Sequence, residues 1–362
     1  MTGLYLYATS FKQYEQLNLL RSFMNVKWYL SDTHACGYVR AEVLARETNK
    51  AKACRMDCKT EILISDYYGT DLMVFQRGQS VAFLEKMRLA KAQGIKTVYE
   101  VDDDLLNTPK EFKKPYEFYR KKETRDIIKA FLAESDAITV STNTLGKAIK
   151  DLTTKPIFVI ENNLDIDMWS MAYAQKQRTK DDKITIGWMA SGSHAFDAYL
   201  VEKAILKIMQ ENENVHLHMI GWVGWEALDK DFKKMEDRIT VEEWIDISVL
   251  PMYMANFDIG IAACCEHPFN DSKSAIKAFQ YWALGIPVVA SPIPEYENKI
   301  EHGKDGFICE EGEWYGRLNE LVMDKEKREL MGAHGRFKLL SEYDIKMNVG
   351  QWTNVFDMIC GI

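Results

Sequence analysis

The sequence lacks any run approaching the roughly 20 apolar residues that a membrane-spanning helix needs. Its first residues also lack the basic start, long apolar stretch and small-residue cleavage site of a secretion signal. A soluble, cytoplasmic protein without a transmembrane anchor is the expectation. No segment repeats at a period of about 20 to 50 residues, which sets aside solenoids and propellers. An excess of positive charge is missing too. The formal net charge is −8, so there is no global attraction to nucleic acid, and only a local basic groove could supply one. The seven cysteines are scattered, and the pair Cys54 and Cys58 has no second pair to complete a four-ligand metal site. They read as reduced, structural thiols. No Gly-x-Gly-x-x-Gly opens a strand–helix pair, which argues against a dinucleotide-dependent oxidoreductase.

What is present is ample material for packed interiors. Of 362 residues, 47% are hydrophobic and 12% aromatic, and a chain of this length exceeds what one core usually organises. Short β-branched or aromatic runs alternate with longer helical patterns. In the first half the predicted strands are 26–30, 61–65, 72–76, 97–101 and 137–140, separated by helices such as 81–92 and 122–134. In the second half they are 183–189, 215–220, 239–241, 258–262 and 287–290, with helices near 198–210, 276–284 and 314–323. Strand–helix alternation of this kind implies parallel sheets covered on both faces. The expected division is a first domain over 1–165, a second over 166–344, and a C-terminal helix over 345–362 that packs back on the first domain. The polar stretch 161–182 is where the apolar periodicity lapses. Two doubly wound domains would face each other across a cleft, with ligands at the carboxyl ends of their strands.

The most informative segment is EHPFNDSKSAIKAFQYWALGIPVVAS, residues 266–291. It follows an apolar strand, so a loop must lead into a helix, predicted to start near Asp271 or Ser272, either of which can cap it. A helix start offers free N–H groups and a positive dipole end, which suits a diphosphate. Lys273 and Lys277 are four apart and Gln280 follows three later, placing all three on one face beside the buried stripe of Ile276, Phe279 and Ala283. An ordinary solvated helix face with two lysines has the same spacing. Gly285-Ile286-Pro287 then ends the helix and turns into a buried strand.

This segment resembles the GT-B glycosyltransferases, specifically the retaining family 4 enzymes and their relatives. The resemblance rests on Phe269, Asn270, Lys273, Ser274 and Lys277 before a Gly-x-Pro-Val-Val-Ala strand, and it extends in order along almost the whole chain. IGWMASGSHAFD (186–197) resembles the strand and loop that open the donor domain, and VIENNLD (159–165) resembles the linker between domains. VYEVDDDLL (98–106) resembles the acidic strand end on the acceptor side; CGYVR (36–40) and HGKDGFIC (302–309) resemble the first loop and a late glycine loop. One departure stands out. The family usually has a Glu five residues before the Gly of Gly-x-Pro, holding the donor ribose, and here that position is Gln280. The Glu expected eight residues earlier falls on Ser272.

The resemblance implies transfer of a sugar from a nucleotide-diphosphate sugar, UDP- or GDP-linked, with retention of configuration. It implies no metal and no separate cofactor, because two lysines and a helix dipole neutralise the leaving diphosphate. Donor binding is expected from Ser191, Gly192, Ser193, Trp244, Asn270, Ser272, Lys273, Ser274, Lys277 and Gln280, with Tyr253 a second ring able to stack on the base. Asp102, Asp103 and His194 are the candidate catalytic residues. Asp102 and Asp103 could accept a proton or bind acceptor hydroxyls. An Asp-x-Asp metal site through Asp102 and Asp104, as in the GT-A fold, is the rival reading of that run, and a capped turn is the plain one. The acceptor is open: a glycan, a protein, a lipid-linked saccharide or a nucleic-acid base. A nucleotide-sugar-binding protein that kept the fold and lost turnover is the non-enzymatic alternative, supported by Gln280 and Ser272.

Overall fold

The computed structural model describes residues 23–31, 35–176, 182–190, 194, 196–221 and 230–362. They form two parallel six-stranded sheets. The first contains β1 (Asn25–Leu30), β2 (Arg55–Lys59), β3 (Leu72–Gln76), β4 (Lys96–Val101), β5 (Ala137–Val140) and β6 (Ile157–Val159), in the order β2-β1-β3-β4-β5-β6. The second contains β7 (Ile184–Met189), β8 (Val215–Ile220), β9 (Ile239–Glu242), β10 (Ile259–Ala262), β11 (Val288–Ala290) and β12 (Gly306–Ile308), in the order β12-β11-β10-β7-β8-β9. Each sheet reverses its strand order once, between β1 and β3 and between β7 and β10. Loops diverge at such a reversal and leave a crevice at the strands' carboxyl ends.

Central strands are buried on both faces, and their sequences show why. All five residues of β3, Leu-Met-Val-Phe-Gln, are buried, as a parallel strand sandwiched by helices requires. One face of the first sheet packs against α2 (Val81–Ala92), α4 (Lys122–Glu134) and α5 (Asn143–Ile149). The other packs against α1 (Val43–Lys50) and α14 (Ile345–Cys360); α3 (Lys113–Tyr119) buries none of its residues. In the second sheet, α7 (Glu202–Glu211) and α12 (Trp314–Met323) cover one face. The other face meets α6 (Ile166–Lys176), α8 (Leu250–Met254), α10 (Ile276–Ala283) and α13 (Lys325–Glu342), with α9 (Pro268–Asp271) and α11 (Pro294–Lys299) at its rim. α13 lies flush on the end of α10 because Gly332 has no side chain there: a Cβ would come within 2.0 Å of the Gly285 carbonyl oxygen.

Three sequence expectations need correction. The segment 61–65 is no strand. Asp66 accepts the Leu63 N–H at 2.9 Å and closes a 3₁₀ turn, Ile64–Tyr67. The edge strand is instead Arg55–Lys59, where only Met56 is buried and the alternation is too polar to stand out. The stretch 161–182 also carries a helix, α6, which buries Ile166, Trp169 and Ala172. The third correction concerns the start of the lysine helix and is described with the site.

The chain crosses between the sheets twice, side by side. Leu164 pairs with Asp344 in a parallel bridge, fixed by Leu164 N–H to Tyr343 O at 2.9 Å and Ile345 N–H to Leu164 O at 3.1 Å. The returning α14 then buries Trp352 against Trp28 at 5.1 Å and lies under the Arg40 guanidinium at 4.7 Å. Arg40 itself pairs with buried Glu100 at 2.8 Å. Truncating Trp352 would therefore leave both a cavity and an uncovered ion pair. Trp352→Ala is expected to destabilise the protein by about 3 to 5 kcal/mol, measured by urea-induced unfolding. A loss below about 1 kcal/mol would contradict the role given to α14.

Candidate functional site

The loops after β7 and β10 meet at the strand-order reversal of the second sheet. His194 follows β7, and Cys264 and Cys265 follow β10; a short helix, α9, comes next. The His267 side chain, not Asp271 or Ser272, caps α9 by accepting the Phe269 N–H at 3.1 Å. The helix stops after four residues, and the chain breaks before α10 begins at Ile276. Pro268 fixes the first turn of α9 early, so the lysine segment is two helices with a hinge rather than one. Ala275 at the start of α10 offers no side-chain acceptor, which leaves the first N–H groups of that helix for a ligand or solvent.

Around this break, polar groups are buried without partners. The Lys277 ammonium, the Asn270 side-chain oxygen and the Gln280 side-chain oxygen are all shielded from solvent and unpaired. Burial pushes the Lys277 amine down to about 8, with the Lys273 charge acting in the same direction and Cys264 and Asp197 opposing. Lys273 approaches His194 Nε2 at 3.2 Å and lies over the rings of Phe269 and Phe112 at 5.1 and 5.7 Å. His194 is pushed down to about 3 by burial and by the two lysines, against the pull of Asp197. The imidazole is neutral at physiological pH. Buried unpaired polar atoms are costly, and a group of them at the mouth of a crevice marks a site built for something absent from the free protein.

The other expected residues occupy distinct places. Asn270 donates to the Cys265 carbonyl at 2.8 Å, which aims its free oxygen. Ser272 and Ser274 face the first domain: the Ser272 carbonyl accepts from Thr142 Oγ1 at 2.9 Å, and Ser274 Oγ accepts from Asn162 at 2.7 Å. Phe112 and Phe269 meet edge to face at 5.4 Å. Trp244 is 57% exposed and Tyr253 38% exposed, so both rings are accessible. Ser191, Gly192 and Ser193 lie outside the described residues.

Across the crevice, Asp102 and Asp103 are gathered by Arg77, which pairs with both. Arg77 holds a left-handed backbone, φ 48°, a strained conformation for a side-chain-bearing residue. Burial alone would raise the Asp102 carboxyl, but Arg77 holds it below the ordinary range. As a proton acceptor Asp102 is thus weak while that pair persists. The link to the lysine break is short: Ser141 Oγ donates to the Asp102 carbonyl at 3.1 Å, and its neighbour Thr142 is the residue that reaches Ser272. Asp104 instead accepts from Asn107 at 2.7 Å, turned into its own 3₁₀ turn, and the two aspartates a metal would need do not share a partner.

One other group of ligating atoms converges. His194, Asp197 and Cys264 place a nitrogen, an oxygen and a sulfur within 4.8 Å of one another. Two lysines abut that group, and their charge opposes a dication as it favours an anion. Asp197 was not singled out in the sequence, although its spacing from His194 in SHAFD was the available signal. Arg77 and Thr142 were missed as well, and nothing in their local sequence marks them.

Comparisons with known proteins bear on the second domain and on the fold. Residues 184–324, running from β7 through α12, match the family model described as Glycosyl transferases group 1. A Bacillus subtilis protein named as a teichuronic acid biosynthesis glycosyltransferase is 26% identical over 186 residues, covering 49% of this chain and 45% of that protein. Spore coat protein SA of the same organism is 23% identical over 158 residues, covering 40% and 41%. The matches span less than half the length of these relatives. Among solved structures, Anabaena HepE in complex with UDP and glucose superimposes with a TM-score of 0.68, at 13% identity, over 92% of this chain and 99% of that one. Sucrose-phosphate synthase from Thermosynechococcus elongatus gives 0.63 at 14% identity, over 93% and 99%. The architecture is that of the GT-B glycosyltransferases. Among the described residues, no helix is long and apolar enough to cross a membrane.

The unpaired ammonium has a measurable consequence in the ligand-free protein. The folded-state value for Lys277 lies below that of an unfolded lysine, so the unfolded chain binds the proton more tightly, and stability rises with pH from about 8 toward about 10.4. Lys277→Met should stabilise the free protein by about 1 to 3 kcal/mol at pH 7, with the gain shrinking across that window. Denaturant unfolding at several pH values checks this. A destabilised Met variant at every pH would mean that the ammonium has a partner after all.

Proposed function

We propose, from the match of residues 184–324 to the glycosyl transferases group 1 model and from the geometry of the site, that this chain is a glycosyltransferase that takes its sugar from a nucleoside-diphosphate donor, UDP- or GDP-linked. The observation that carries the reading is the trio of buried, unpaired polar groups on α9 and α10, with Lys273 beside them. A diphosphate answers the ammonium groups, and the hydroxyls of a nucleotide sugar answer the two amide oxygens. The diphosphate oxygens accept from Lys273, Lys277 and the uncapped first turn of α10, and the leaving charge on the distal phosphate develops against both ammonium groups. Gln280 is one turn beyond Lys277. Its amide suits the ribose diol through one acceptor and two donors, in place of the family's Glu. Trp244 or Tyr253 stacks on the base. The HepE complex with UDP on the same architecture supports a nucleotide in this crevice.

On the opposite wall, Arg77 with Asp102 and Asp103 receives the acceptor. Asp103, the more exposed of the pair, is placed to bind an acceptor hydroxyl. The reaction needs no metal, because two lysines supply the charge that a magnesium ion supplies elsewhere. Retention of configuration follows from the family resemblance. A binding protein without turnover is the competing reading, and donor hydrolysis in the absence of acceptor separates the two.

Calorimetry with UDP-glucose and GDP-mannose, whose diphosphates are esterified and do not titrate near neutrality, tests the donor site. Affinity for the better of the two should hold steady below pH 8 and fall above it, as Lys277 loses its proton, and Lys273→Met should weaken binding by about 1.5 to 3 kcal/mol. EDTA should leave turnover intact. Binding that strengthens with pH, or that ignores both lysines, would place the donor elsewhere.

A further inference from the structure

Asp197 joins three parts of the crevice wall, His194, Cys265 and Asn270. It is 1% exposed. One carboxylate oxygen accepts from His194 Nδ1 at 2.6 Å. The other accepts the Cys265 backbone N–H at 2.7 Å, with the Asn270 amide nitrogen at 3.5 Å. A single side chain thus ties the loop after β7 to the loop after β10 and to α9, across the reversal in strand order. Both oxygens are committed to donors, so Asp197 does not face a ligand. It acts through the groups it holds.

We infer that Asp197 is a positioning residue that fixes the proton of His194 on Nδ1, so that the Nε2 lone pair aims the Lys273 ammonium into the anion site. The argument is one of donors and acceptors. A carboxylate only accepts, so the His194 nitrogen facing it must carry hydrogen. The imidazole is neutral, so Nε2 carries none, and it is the atom at 3.2 Å from Lys273. An ammonium only donates, so the chain from Asp197 through His194 to Lys273 is consistent in one direction alone. Lys273 is long and flexible, and its remaining surroundings are the faces of Phe269 and Phe112, which attract a cation without orienting its hydrogens. His194 Nε2 supplies the direction. Asp197 supplies the His194 tautomer.

Replacing Asp197 by Asn reverses the chain. The Cys265 backbone N–H cannot change its role and still requires an acceptor, so the amide oxygen turns to it and the NH₂ faces His194. His194 must then accept at Nδ1 and carry its hydrogen on Nε2, where it meets the Lys273 ammonium donor to donor. Lys273 loses its aim with almost no change in volume or burial at position 197. The inference rests on the anion-site reading above, but its first test does not.

The test begins with the ligand-free parent protein labelled with ¹⁵N at histidine. Long-range proton–nitrogen correlation should show His194 as the Nδ1–H tautomer. An Nε2–H tautomer or an imidazolium at pH 7 would overturn the proposal without any variant. Asp197→Asn should then switch the signal to the Nε2–H pattern and weaken pyrophosphate and UDP binding about tenfold. A loss at least as large should appear in Lys273→Met, with His194 keeping its parent tautomer. In the double variant the losses should not add, because Asp197 acts only through Lys273. Fully additive losses, or an Asn variant with the parent tautomer and parent affinity, would contradict the proposal. Should neither the parent nor any variant bind pyrophosphate or UDP while the parent tautomer is Nδ1–H, the donor reading fails and the proton placement stands.

Discussion

A positive charge with no partner of its own, buried where the second sheet reverses its strand order, is the constraint around which the site is arranged. Lys277 and Lys273 carry two charges into a crevice whose nearest carboxylate, Asp197, already has both oxygens engaged. The imidazole beside Lys273 stays neutral because burial disfavours its charged form and the two lysines add to that cost. A free protein arranged this way gives up stability at the site, and that loss is recovered only when an anion enters. The break between α9 and α10 belongs to the same arrangement. A continuous helix would satisfy its own N–H groups through the region where the break leaves the start of α10 without a side-chain cap.

The first domain is fastened to this break rather than merely facing it. Thr142 caps α5 by accepting the Leu145 N–H at 3.1 Å and donates its own hydroxyl hydrogen to the Ser272 carbonyl. Asn162 accepts from buried Arg40 at 2.9 Å and donates to Ser274. Lys299 on α11 pairs with Glu161 of the linker at 2.7 Å. A rotation that moved the domains apart would therefore act directly on Ser272 and Ser274, on either side of Lys273. The same contacts carry Asp102 and Asp103 to the opposite wall through Ser141. The Arg77 wall and the lysine break are thus mechanically joined through a handful of hydroxyl and amide groups.

Much of the architecture was legible because parallel strands buried on both faces write themselves as short apolar runs. The helices 81–92, 122–134 and 314–323 coincide with α2, α4 and α12 for a similar reason, their apolar stripes being uninterrupted. Legibility failed where burial did not govern the sequence. The edge strand Arg55–Lys59 is mostly polar, and Ile64 is exposed in a turn although it ends the apolar run Ile62-Leu63-Ile64. At the site, the lysines and Gln280 were visible through their order before Gly285. Asp197, Thr142 and Arg77 were not. Their importance lies in what they touch across 25 to 130 residues of sequence, and no local pattern records such a contact. The helix break was hidden too, since Asp271 and Ser272 are good caps in the abstract and the actual cap, His267, is an uncommon one.

The proposal that Lys273 and the buried Lys277 ammonium hold a diphosphate is tested by a crystal structure with an intact UDP- or GDP-sugar bound. Phosphate oxygens are expected within hydrogen-bonding distance, about 2.7 to 3.2 Å, of both Lys273 and Lys277, with Gln280 turned toward the ribose. A nucleotide sugar found on another face of the protein, with the Lys277 ammonium still unpaired beneath an empty crevice, would contradict it.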